Sequence, residues 1–250
     1  MSYFPMFIEL KGKRCLVVGG GRIALRKIEV LKEFGADLLV VSPVISQEIL
    51  QIKEISCRKK QFESEDLKGR ELVVAATDDK ELNHRISRAC REKQIPVNAV
   101  DQTEDCTFLF PAYLKEGEVV AAFSSGGQSP VVAQYLKAQS APFLTHLVGE
   151  TAACLGSLRK TLRQCTKSEK ERKEIYEALL QMALQEEEVP TGEAIAKIIA
   201  MYTQRASQYD TLFQSGLIRY TLRAFQYNTL FQNGLIKYSF YKSRYMPVCF

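Results

Sequence analysis

The sequence predicts an α/β fold: a parallel sheet covered by helices on both faces, then a small α+β segment, then an all-helical region. Three observations predict it. Short apolar runs alternate with helical patterns as far as residue 100; two strand-like runs within 107–124 follow each other without a helix between them; and from Thr145 to Thr203 the apolar pattern has a helical period throughout.

The run Cys15-Leu16-Val17-Val18 reads as a buried first strand, and Gly19-Gly20-Gly21 opens a helical pattern reaching Phe34, with Gly35 where a helix C-cap belongs. Leu38 to Val41 is a second strand ending at Ser42-Pro43. A helix near Ile45 to Glu54 and a third strand from Ser56 to Phe62 complete a βαβαβ order. Leu72 to Ala76 is a fourth strand, Thr77-Asp78-Asp79 can cap the helix ending near Lys93, and Pro96 to Val100 is a fifth. Strands without a polar face belong in a parallel sheet buried on both sides, and the glycine turn after the first strand makes that sheet Rossmann-type.

After Asp101 the pattern changes. Thr107 to Pro111 and Val119 to Ser124 read as antiparallel strands with a turn at Glu116-Gly117-Glu118, and Ser129 with Pro130 starts the next helix. The helical region beyond is broken near Thr166 to Ser168 and at Val189-Pro190-Thr191-Gly192. In the tail, Gln208 to Tyr220 returns, conservatively altered, as Gln226 to Tyr238. Two copies are too few for a solenoid. This tail is either an appended extension without catalytic function or a partner-binding or membrane-surface element.

Of the 250 residues, 46% are hydrophobic and 25% charged, enough to bury a sizeable core. The net charge of +5 is spread along the chain, which argues against a nucleic-acid partner and suits a poly-anionic small molecule. Seven scattered cysteines without a C-x-x-C pair argue against a disulfide framework and against a cysteine-based zinc site. With no secretion signal and no apolar run of about 18 residues, the expectation is a cytoplasmic protein with reduced thiols and no membrane span.

Gly19-x-Gly21-x-x-Ala24, placed after a strand and opening a helix, has the context of a dinucleotide fingerprint. The first glycine makes the tight turn, and the second lets the backbone approach a pyrophosphate. Ala24 permits close helix packing, and the helix start at Gly21, Arg22 and Ile23 offers free N–H groups. A ribose-binding carboxylate is expected at the end of the second strand, yet Ser42-Pro43-Val44 stands there. Ser42 can bond ribose hydroxyls, and the lack of an arginine at that strand end favours NAD over NADP.

Thr77, at the carboxyl end of the fourth strand, lines the nicotinamide side or caps the following helix. Asp101 follows the fifth strand, where a carboxylate can take a proton from a substrate losing hydride; the alternative is a turn aspartate. Ser124-Ser125-Gly126-Gly127 ahead of a helix is an anion cradle or a plain turn. His84 and His146 are far apart in sequence and read as packed or solvated side chains, so no metal site is expected. The cations from Arg159 to Lys173 read as a solvated helix face that could receive substrate carboxylates if it faced the crevice.

Taken in order, Pro5-Met6-Phe7, Leu16-Val17-Val18-Gly19-Gly20-Gly21, Ala24-x-Arg26-Lys27, Ala75-Ala76-Thr77-Asp78-Asp79, Asn98-Ala99-Val100-Asp101 and Ser124-Ser125-Gly126-Gly127-Gln128-Ser129-Pro130 resemble the precorrin-2 dehydrogenase/sirohydrochlorin ferrochelatase family over roughly Met1 to Thr203. The resemblance implies an NAD-binding Rossmann domain (1–113), a dimerisation segment (114–142) and a helical domain (143–204) in a homodimer, leaving the tail (205–250) without a counterpart. It also implies oxidation of precorrin-2 to sirohydrochlorin with NAD as cofactor, Asp101 as acid/base residue, and Fe2+ insertion in the bifunctional members. Ser125 matches a serine that is phosphorylated or contacts substrate, and Gly126 and Gly127 share its loop. A regulatory NAD-sensing module without catalysis shares the pattern of the first 100 residues, but gives no reason for the Ser-Ser-Gly-Gly loop or the helical region. A dehydrogenase of another small substrate is the third reading.

Overall fold

The computed structural model describes residues 3–203; the duplicated segment and the whole 205–250 division lie outside the described residues. The chain forms two compact units, Met1–His146 and the residues from Leu147 onward.

Five parallel strands build the first unit: β1 (Arg14–Val18), β2 (Asp37–Val41), β3 (Ile55–Arg58), β4 (Leu72–Ala75) and β5 (Val97–Ala99), in the order β3-β2-β1-β4-β5. Both faces are covered. Helix α1 (Arg22–Glu33) and the single turn α2 (Gln47–Leu50) set Ala24, Ile28, Leu31 and Ile49 against Cys15, Val17, Leu38, Val40 and Val74. Helix α3 (Lys80–Glu92) sets Ile86 and Cys90 against Leu16, Val18, Val73 and Val97 on the other face. Adjacent residues of one strand therefore serve two cores, which is why the strands read as unbroken apolar runs. Gly35 ends α1 as expected, with φ +77° and its N–H on the Lys32 carbonyl at 2.9 Å.

Three local expectations are corrected. The helix expected over 45–54 is only the α2 turn. The third strand stops at Arg58 instead of Phe62, because the following residues build a charge cluster around the buried Asp66. There Lys60 meets Glu63 at 2.7 Å and Asp66 at 2.9 Å, and Glu63 and Asp66 cap the 3₁₀ turn Ser64–Leu67. Thr107 to Pro111 is not a strand either. Thr107 exchanges bonds with Val97 (Thr107 N–H to the Val97 carbonyl, and Val97 N–H to Thr107 Oγ1, both 2.8 Å), and the Asn98 amide then donates to the Phe108 carbonyl at 3.0 Å. Phe108 and Phe110 pack on one core and Leu109 on the other, so the apolar alternation is real but no ladder forms.

The antiparallel pair is instead β6 (Ala112–Glu116) with β7 (Val119–Phe123), followed by α4 (Pro130–Ser140), whose cap is Ser129 as expected. Tyr113 fastens this hairpin to the end of α1: its hydroxyl donates to Glu33 at 2.5 Å and its ring meets Phe34 edge-on at 5.4 Å.

The second unit contains α5 (His146–Ser157), which begins at the boundary, α6 (Arg159–Cys165), α7 (Glu169–Glu186) and α8 (Gly192–Thr203). Leu158, Leu162, Ile175, Leu179, Ile195 and Ile199 form its core. Both expected breaks occur, with Ser168 accepting from Glu171 N–H at 3.1 Å and Thr191 from Ala194 N–H at 3.3 Å. Lys170 and Lys173 form i,i+4 pairs with Glu174 and Glu177 along α7. Among the described residues, no helix is long and apolar enough to cross a membrane.

Candidate active site

The carboxyl ends of β1, β2 and β4 bring three loops together. Gly19 has φ +126°, and a Cβ there would overlap the Ala76 carbonyl; one at Gly20 would overlap the Val44 carbonyl. Ser46 N–H closes the second contact by donating to the Gly20 carbonyl at 2.9 Å. Gly19 and Gly20 thus have no room for side chains because the neighbouring loops occupy it. Gly21 differs: it begins α1, is exposed, and a Cβ there would meet nothing within 4 Å.

No side chain caps α1 at Gly21, and a Cβ at that position would meet nothing within 4 Å. A helix start of this kind, backed by glycine, fits a pyrophosphate. Ser42 is buried and its hydroxyl donates to the Val44 carbonyl at 2.7 Å, which shapes the loop; Pro43 and Val44 are exposed on its outer side. Thr77 donates from Oγ1 to Asn83 Oδ1 at 2.7 Å, and Asn83 returns a bond to the Thr77 carbonyl at 3.1 Å. The cap of α3 is Asp79, accepting from Leu82 N–H at 3.0 Å, so Thr77 is a tethered residue of the β4 loop and not the helix cap.

Beside this cluster lies a cavity of about 640 Å³, lined by the next turns of α1, the end of β5, the 109–113 segment, β7 and the start of α4. Asp101, Ser125, Gly127 and Ile23 all line it, whereas Gly126 does not. Asp101 is exposed and sits in the left-handed region at φ +59°. Its loop is fixed from behind by the buried Asp105, which takes Gln102 Nε2 at 3.0 Å and His84 Nδ1 at 2.8 Å, while its carbonyl takes the Ser87 hydroxyl at 2.6 Å.

Ser125 is used internally. Its hydroxyl donates to the Ser129 carbonyl and accepts from Ser129 N–H, both at 2.8 Å, which folds the loop into a tight turn with Gly126 at φ +64° and Gly127 at φ +82°. Its first task is therefore to hold the loop, with one edge of the residue left on the cavity wall.

Residue patterns alone did not single out Lys27 or Gly20 for a role. Lys27 lines the same cavity, half-buried, with Nζ 3.9 Å from the centre of the Phe110 ring. Burial lowers its pKa, opposed by Cys106 and Asp101. The run of three glycines was the available signal for Gly20.

Comparison with known proteins agrees with this geometry. An NAD(P)-binding family model matches residues 6–112, which covers the sheet and the glycine turn. Siroheme synthases from Thioalkalivibrio sulfidiphilus and Nitrosomonas eutropha are each 39% identical to the chain, over 184 and 185 residues, 72% of the chain in both cases. The chain is thus similar to siroheme synthases, and its first unit matches an NAD(P)-binding family model. It spans about two fifths of the length of those relatives, 38% and 39%. A solved structure of SirC, a precorrin-2 dehydrogenase, shares the fold of this chain with a TM-score of 0.62 at 23% identity, covering 81% of this chain and 100% of that one.

Proposed function

We propose that the chain is an NAD-dependent dehydrogenase that oxidises precorrin-2 to sirohydrochlorin in the cytoplasm, as a homodimer. The observation that carries this reading is the cavity at the carboxyl edge of the sheet, where Asp101 and the Ser125 loop face the helix that begins at the dinucleotide turn. The kinship with siroheme synthases supplies the substrate class.

Gly19 to Ile23 hold the pyrophosphate, with Ser42 to Val44 beside the adenosine ribose and Thr77 toward the nicotinamide side. When bound, the dinucleotide accepts a hydride. Asp101 takes the proton that the substrate loses as its C–H bond breaks and the electron pair leaves, so that substrate and NAD⁺ give product, NADH and H⁺. The Asp105 cluster holds the Asp101 loop, and Phe110, Tyr113 and Phe123 offer apolar walls to a flat ring system. Fe2+ insertion into sirohydrochlorin in the same cleft belongs to this reading as a second activity, with Asp101 as proton acceptor and iron as substrate.

Anaerobic incubation with precorrin-2 and NAD⁺ tests the proposal by NADH formation. Turnover of a hydroxy-acid or amino-acid panel instead would replace the substrate, and dinucleotide binding without any turnover would favour a sensing module. Adding Fe2+ and sirohydrochlorin tests the second activity.

A further inference from the structure

Among the described residues, Lys27 makes no ion pair and no hydrogen bond; its partner is the face of Phe110, with Nζ 3.9 Å from the ring centre. Other buried and half-buried polar groups around the site have partners: Ser42 on Val44, Thr77 on Asn83, Ser125 on Ser129. An ammonium held in a cavity wall without an anion carries a desolvation cost, and burial indeed lowers its pKa. Arg26, the next cation along α1, lines the cavity as well. The carboxylate nearest to influencing Lys27 is Asp101, on the same cavity.

We infer that Lys27 is a substrate-binding residue whose ammonium takes a carboxylate of a poly-carboxylated tetrapyrrole and so fixes the ring against Phe110, next to Asp101. The inference rests on the proposed function and names a residue for it. Position 27 lies one helical turn beyond Ile23, so the same helix that starts at the dinucleotide turn presents the cation to the cavity. The Phe110 face holds the ammonium in place when no ligand is bound, by cation–π attraction. A carboxylate is the stronger partner, and the low-dielectric wall strengthens that pairing. An acidic ring bound there has its edge anchored and its face on aromatic side chains.

The test is titration of the full chain with two soluble porphyrin probes, uroporphyrin with eight carboxylates and coproporphyrin with four, alongside NADH titration and precorrin-2 kinetics. Lys27→Met should weaken uroporphyrin binding about 10- to 100-fold, the loss of one charge-assisted hydrogen bond. It should raise KM for precorrin-2 by a similar factor, with NADH affinity unchanged. Lys27→Arg should restore most of the binding, and the effect of Lys27→Met should shrink as salt rises. Lys27→Gln checks that the loss follows the charge and not the shape.

Uroporphyrin affinity and KM unaltered in Lys27→Met, in a chain whose wild type oxidises precorrin-2, would overturn the inference and leave the proposed function standing. An equal loss of NADH affinity would overturn it too, making Lys27 a cofactor contact. A wild-type chain that binds uroporphyrin through Lys27 but never reduces NAD⁺ would overturn the proposed function and leave the anion site.

Discussion

Gly20 lies so close beneath the Val44 carbonyl that a single Cβ at position 20 would overlap its oxygen, while one at the adjacent Gly21 would meet no atom. The two glycines are therefore required for different reasons, and substitution should separate them.

Gly20→Ala should push the Ser42 to Ser46 loop from the glycine turn, costing about 1–3 kcal/mol of overpacking strain. Thermal melting should fall and dinucleotide affinity should fall with it. Gly21→Ala should melt like the wild type, because its methyl group enters open space. Its dinucleotide affinity should still drop by about tenfold or more, since that space is where the backbone must approach the pyrophosphate. Calorimetric melting and cofactor titration of both variants check the contrast; a Gly21→Ala protein with full affinity would show that the phosphates bind elsewhere.

The cofactor's 2′ position is governed by charges that strand order brings together. β3 lies beside β2 with Arg58 opposite Val41, so a guanidinium does stand near the end of β2, supplied by the neighbouring strand. Asp66, buried, faces it at 3.6 Å and holds Lys60 at 2.9 Å. These cations are engaged, so NAD⁺ should bind at least about tenfold more tightly than NADP⁺. Asp66→Asn should narrow that ratio by raising NADP⁺ affinity. Equal affinity for both dinucleotides in the wild type would mean that Arg58 leaves Asp66 for the 2′-phosphate.

Arg58 and Lys27 show where sequence reading stops. The sheet was legible because each strand is buried on both faces, so Cys15 to Val18 and Leu72 to Ala75 carry no polar residue, and the glycine turn stood out between strand and helix. Asp101 and Ser125 were legible as residues at a sheet edge and a loop, but only the fold puts them on one cavity. Lys27 looks like any cation on a helix flank, since its meaning comes from Phe110, which is 83 residues away (110 − 27). The Thr107 to Pro111 run misled because alternation marks packing on two cores as well as strand pairing.

Lys27 also makes a prediction about stability. Burial lowers its folded pKa below the unfolded value, so the charged form is the one penalised in the folded state. That penalty is fully present below the folded pKa and disappears as pH rises to the unfolded value of about 10.5. Lys27→Met should therefore melt at or above the wild type at pH 7 without ligand, and the gap should close toward alkaline pH. Paired melts at each pH cancel the other titrating groups; a clear destabilisation by Met at pH 7 would show that the Phe110 contact outweighs the burial cost.

On α4, Val131, Val132, Tyr135 and Leu136 are 74%, 49%, 61% and 41% exposed and share one side of the helix. Beside it, β6 and β7 form a two-stranded sheet, a unit that is marginal without further packing. A second copy covering this face should give a homodimer at micromolar concentration by light scattering. Val131→Asp with Tyr135→Asp should shift it to monomer. A monomeric wild type would remove the dimer from the reading.

Asp101 is the decisive position, and its backbone dictates which variant tests it cleanly. At φ +59° it occupies the left-handed region, which Asp and Asn tolerate and Ala resists by about 1–2 kcal/mol. Asp101→Ala therefore removes the carboxylate and strains the loop that Gln102 and Asp105 fasten to α3, so a loss in that variant mixes two causes. Asp101→Asn keeps the shape and the backbone preference and removes only the proton acceptor. It should bind NADH like the wild type, because the dinucleotide turn at Gly19 to Ala24 does not use it, and it should melt like the wild type. Dehydrogenation should fall by about 10²- to 10⁴-fold, the usual effect of deleting a positioned acid/base group. If kcat survives in Asp101→Asn and falls only in Asp101→Ala, the residue shapes the loop and the proton leaves by another route. If both variants turn over normally, the cavity wall that carries Asp101 has no part in the chemistry.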